Sequence, residues 1–87
     1  MISIYDHKNR DAVTVYFSQE TLDLIKTPEI VFREKNGELM FRETTMMDNQ
    51  RNTIRKNKCA VYSSVSAKSF RGTWNVFKQD DNDWFIL

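Results

Sequence analysis

Asn36-Gly37 dictates more about this chain than any other pair of residues. The two supply the consecutive positive-φ positions of a type I′ turn, whose twist matches that of two antiparallel strands. On either side run Ile30-Val31-Phe32-Arg33-Glu34-Lys35 and Glu38-Leu39-Met40-Phe41-Arg42-Glu43, both strand-like in composition. A two-residue turn also fixes the register, setting Phe32 opposite Phe41, Glu34 opposite Leu39 and Ile30 opposite Glu43. One side of the hairpin then carries Ile30, Phe32, Leu39 and Phe41 into a core. The other presents Arg33, Lys35, Glu38 and Arg42, with Val31 and Met40 between them.

The same period of two recurs elsewhere. Residues 2–6 alternate apolar and polar, and Ala12 to Phe17 places Val13, Val15 and Phe17 on one side against Ala12, Thr14 and Tyr16 on the other. The polar stretch His7 to Asp11 reads as the loop of a hairpin between them. Ser18 suits a helix N-cap and Glu20 the anion-favouring first turn, so a short helix is expected over about 19–26, with Leu22, Leu24 and Ile25 as its apolar contacts. Thr27-Pro28 ends it. Thr45 and Asp48 have the spacing of a partial capping box, yet residues 44–58 show no clean helical period. Strands are expected again over 59–65, 73–78 and 83–87, with a turn at 79–82. The expected architecture is a single α+β domain over residues 1–87, mainly antiparallel hairpins with one short helix.

At 87 residues there is room for one core and no more. No apolar run approaches the roughly 18 residues of a membrane helix, and no leader sequence is visible at the N-terminus. The single cysteine, Cys59, cannot form an internal disulfide, which points to a reducing compartment and a cytoplasmic location. A homodimer is compatible with so small a core, although no particular residue calls for one.

Charge gives the strongest functional signal, but only when resolved along the chain. The formal net charge is +1, and residues 1–50 hold six basic against nine acidic side chains. Residues 51–78 hold seven basic residues and no carboxylate. Arg51, Arg55, Lys56, Lys58, Lys68 and Arg71 are therefore candidates for contact with a polyanion, above all nucleic-acid phosphate, where they would displace condensed counterions. Interleaved Asn and Thr residues can bond phosphate oxygens or base edges. Tyr62, Phe70 and Trp74 become stacking platforms for unpaired bases if they face outward, and core residues if they do not.

Catalysis is not expected. His7 is the lone histidine and starts a loop, and Cys59, though near Lys56 and Lys58, has no partner base in the sequence; it reads as a small buried hydrophobe. Asp80-Asp81-Asn82-Asp83 lacks the later glycine and terminal glutamate of a calcium loop, so neither metal nor cofactor is expected.

Residues 13–43 resemble, in the order strand, short helix opening Ser18-Gln19-Glu20, and charged hairpin, the swapped-hairpin transcription factors of the AbrB type. The resemblance implies DNA binding, but that family uses basic residues near its N-terminus, whereas the basic segment here follows the hairpin. Two functions are carried forward. One is a small regulator that binds nucleic acid through the basic segment. The other is a protein-binding module or inhibitor, of the kind that phage and mobile elements direct at host proteins. It would use Arg33, Lys35, Met40 and Arg42, or the 45–58 loop, against an acidic partner surface.

Overall fold

The computed structural model describes residues 1–8, 10–79 and 83–87. Nine strands lie among them: β1 (Ile2–Asp6), β2 (Ala12–Phe17), β3 (Glu29–Lys35), β4 (Glu38–Glu43), β5 (Asn52–Thr53), β6 (Cys59–Ser63), β7 (Gly72–Trp74), β8 (Phe77–Lys78) and β9 (Phe85–Ile86). They form two antiparallel sheets, one ordered β6-β2-β1-β7 and the other β5-β3-β4-β9-β8. The inner faces meet in one core. Ile2, Ile4, Val13, Val15 and Phe17 come from the first sheet, and Ile30, Phe32, Leu39, Phe41 and Phe85 from the second. Across the gap Phe17 and Phe41 meet edge to face, their centroids 5.5 Å apart.

The Asn36-Gly37 hairpin has the register its turn dictates: Phe32 pairs with Phe41, Glu34 with Leu39 and Ile30 with Glu43. Both turn residues have positive φ, 53° and 78°. The 2–6 and 12–17 strands pair as expected, and the last strand is inserted between β4 and β8.

Helix is scarcer than expected, and the fold is mainly β. The helix read over 19–26 contracts to one turn, α1 (Gln19–Leu22). Ser18 does cap it, its hydroxyl accepting from the Thr21 backbone N–H at 3.2 Å. The continuing bonds, Leu24 N–H to the Thr21 carbonyl and Ile25 N–H to that of Leu22, span three residues, so the chain tightens and turns away. Leu22 and Ile25 pack on the core, whereas Leu24 is exposed and the buried residue of the turn is Thr21.

Thr45 and Asp48 make capping contacts without a helix to cap. The Asp48 carboxylate accepts from the Thr45 backbone N–H at 2.7 Å, and the Thr45 hydroxyl accepts from Met47 N–H at 3.3 Å. Asp48 is also gripped by Arg42 through two bonds of 2.8 Å, and Met46 and Met47 find nothing to pack against. With no apolar face to bury, one turn is all that forms. The expected strand 73–78 is divided: β7 belongs to the first sheet and β8 to the second, with Asn75-Val76 crossing between them. Between β6 and β7 the chain forms a 3-10 turn over Ala67–Phe70 that buries Ala67 and Phe70. The expected turn at 79–82 and the Asp80-Asp81-Asn82 run fall almost wholly outside the described residues. Among the described residues no helix is long and apolar enough to cross a membrane.

Candidate nucleic-acid interface

Three-dimensional structure divides the acid-free segment. Arg55, Lys56 and Lys58 occupy a tight turn between β5 and β6, closed by Lys58 N–H to the Arg55 carbonyl (2.9 Å) and Arg55 N–H to the Cys59 carbonyl (2.8 Å). This turn abuts the C-terminal end of β2, where Phe17 N–H donates to the Lys58 carbonyl at 2.8 Å. Lys68 and Arg71 sit at the opposite end of the same sheet. There the Arg71 guanidinium meets the Asp6 carboxylate at 3.1 Å, and Gly72 pairs with Ile4. The five residue steps of β2 between these ends span roughly 17 Å. Arg51 stands apart from both, paired with Glu29 at 3.0 Å.

What the sequence left out is Lys26. It follows α1, far from the basic segment in sequence, but lines one groove of about 350 Å³ with Arg55, Lys56 and Lys58, beside Leu22, Ile25 and Pro28. The groove exists because Ile54 is buried and its N–H donates to the Pro28 carbonyl at 2.7 Å, which ties the turn to the end of the α1 segment. Among the described residues none of these four cations forms an ion pair. A chain-order count of charge could not have found Lys26, since only the Ile54–Pro28 tie brings it in.

Lys58 has a φ of 67°, in the left-handed region where glycine or asparagine is usual. A side chain there costs roughly 1–2 kcal/mol. Glycine would avoid that cost but lose roughly 0.5–1 kcal/mol through its greater chain entropy. Lys58→Gly is accordingly expected to stabilise the fold by about 0.5 kcal/mol in urea denaturation, while removing one charge from the groove. Lys58 takes the left-handed position that closes the short loop between β5 and β6.

The three aromatics considered for stacking are turned inward. Phe70 is buried, Tyr62 packs on the core, and the Trp74 indole N–H donates to the Phe70 carbonyl at 2.7 Å. The exposed rings of the first sheet are Tyr5 and Tyr16, on the strand phase opposite the core residues Ile4 and Val15. Cys59 is buried, its thiol donating to the Asn57 side-chain oxygen at 3.0 Å. His7 is half-buried in its loop, with Nδ1 3.0 Å from the Lys8 carbonyl.

On the hairpin, the four candidate protein contacts separate into two kinds. Arg33 and Lys35 are exposed. Met40 is covered by the neighbouring β9, leaving it 7% exposed. Arg42 grips Asp48, and the bond holds the Asp48 carboxyl far below the usual carboxylate range and raises the guanidinium. Arg42 and Arg33 also lie over the Trp84 ring, 5.0 and 5.8 Å from its centre. Its work is therefore to fix the loop that presents Met46 and Met47.

No family model, no curated protein and no solved structure matches this chain.

Proposed function

We propose that this protein is a small non-enzymatic binding domain that holds nucleic-acid phosphate at the groove formed by Lys26, Arg55, Lys56 and Lys58, in a regulatory role. The observation that supports this reading is the convergence of four cations without an ion-paired carboxylate, one of them on a strained turn residue. Closely spaced lysine and arginine side chains are matched by the successive phosphates of a nucleic-acid backbone. Binding to labelled single- and double-stranded DNA and RNA, followed by fluorescence anisotropy at about 50 and 200 mM salt, tests it. Arg55→Ala and Lys56→Ala should each weaken binding to every sequence and flatten the salt slope by about one unit. Arg51→Ala, whose partner is Glu29, should leave the slope unchanged. If the Arg55 and Lys56 variants bind as the parent does, the groove is not a phosphate site.

A second reading, a protein-binding inhibitor, is favoured by the loop at Met46 and Met47. These side chains are 98% and 87% exposed, on a turn held in place by Arg42 and Asp48. Adjacent exposed methionines are adaptable contact residues. Under this reading Met46→Ser with Met47→Ser releases a stoichiometric protein partner from a pull-down after nuclease treatment, with the melting temperature unchanged.

A further inference from the structure

The outer face of the first sheet connects the two basic ends. Tyr5 and Tyr16 stand on it, 58% and 41% exposed, in an edge-to-face pair with centroids 5.7 Å apart. Their cross-strand neighbours are Thr14 and Ser3, and the next strand adds Thr73. The rings border a shallow concavity of about 450 Å³ whose one carboxylate, Asp6, is neutralised by Arg71. At the Tyr16 end lies Cys59, directly after the Arg55–Lys58 turn, and at the Tyr5 end lie Arg71 and Lys68. Small hydroxyl residues around two open aromatic rings, with the Arg55–Lys58 cations at one end of the strip and Lys68 at the other, match the chemistry of an unpaired strand. Its bases stack on side chains while its backbone is held by charge.

We infer that this face binds single-stranded nucleic acid, with bases stacked on Tyr5 and Tyr16 and the backbone running from the Arg55–Lys58 turn toward Lys68. The inference rests on the phosphate-binding reading above and narrows it to unpaired strands. It also gives a role to the separation of the basic segment, because the two clusters are the two ends of one track. That track is about as long as five stacked nucleotides. A duplex keeps its bases paired and stacked internally, so the tyrosines gain nothing from it.

The test compares a labelled ten-nucleotide single strand with the corresponding duplex, using the parent protein, Tyr5→Thr, Tyr16→Thr and Tyr16→Phe. The parent should prefer the single strand. Each threonine variant should lose about ten- to one-hundred-fold in affinity for it with an unchanged salt slope, and Tyr16→Phe should bind as the parent does. Amide chemical shifts of the parent protein, titrated with the same strand, provide a measure independent of any variant's folding. Changes should spread along β1 and β2 as well as around the turn. Equal binding of strand and duplex, with shifts confined to the Lys26–Lys58 groove, would overturn the stacking face and leave the phosphate groove standing. No binding of the parent to any nucleic acid would remove both.

Discussion

Phe41→Ala is expected to lower the melting temperature by about 15–30 °C, at about 4–8 °C for each kcal/mol lost in a domain of this size. Phe41 is fully buried on β4, stacked on Phe85 with centroids 5.0 Å apart and set edge to face against Phe17. It thus ties β4 to the last strand of its own sheet and, through Phe17, to the opposite sheet. Truncation removes those contacts and leaves a cavity that surrounding strands cannot close, at a cost of about 3–5 kcal/mol. A chain of this length holds only about 4–13 kcal/mol in total, so a large unfolded fraction should appear well below the parent's transition. Phe41→Leu keeps most of the volume and should cost about 1–2 kcal/mol. Thermal unfolding followed by circular dichroism is the check. An alanine variant melting within a few degrees of the parent would contradict the two-sheet core.

Glu34→Gln should give the second largest effect, about 2 kcal/mol at neutral pH, through a different mechanism. Glu34 lies at the rim of the second sheet and accepts hydroxyl bonds from Tyr62, Ser64 and Ser66, which belong to β6 and the turn after it. Burial pushes its carboxyl up, but the three hydroxyls outweigh that and hold it below the ordinary glutamate value of 4.5. Its contribution is complete above that value and is lost as the pH falls through the lower folded value. Burial, followed by the Glu34 carboxylate, pushes the Tyr62 hydroxyl from 10.0 up to about 12. Stability should accordingly decline again as pH rises from 10 through about 12. Urea denaturation across pH should show both limbs in the parent. Glu34→Gln should weaken the acid limb, leaving the part that the Arg42-held Asp48 carboxylate sets, and Tyr62→Phe should lose the alkaline one. An unchanged acid limb in Glu34→Gln would mean that other carboxylates set it.

The contrast between the two hairpin flanks and the rest of the chain shows what local sequence can specify. Asn36-Gly37 fixes φ at two positions and hence a register, so Phe32 opposite Phe41 follows from the chain alone. Residues 44–58 were opaque because their partners lie outside the segment: Asp48 answers to Arg42 on the preceding strand, and Ile54 to Pro28 far back in the chain. The split of 73–78 was hidden for a similar reason. Its alternation slips only at Val76-Phe77, and the choice of neighbour is what assigns Gly72–Trp74 to β1 and Phe77–Lys78 to β9. For the candidate interface, charge density along the chain identified Arg55, Lys56 and Lys58 but could not reveal that Lys68 and Arg71 lie at the far end of a sheet. Tyr5 and Tyr16 were visible as residues on a polar phase; that the phase is an open face required the fold.

The pairing of Ile2 with Trp74 has a consequence for how the molecule comes into being. The first strand finds its outer neighbour only after some seventy further residues exist, and β4 lacks its flanking partner until Phe85 arrives. Neither sheet can close on a nascent chain that is still short. The Asn36-Gly37 hairpin can form early on its own, but the core it points toward must wait for the final strand. Folding of this domain therefore waits for the strand at Phe85–Ile86 and is dominated by long-range closure, slow for so few residues.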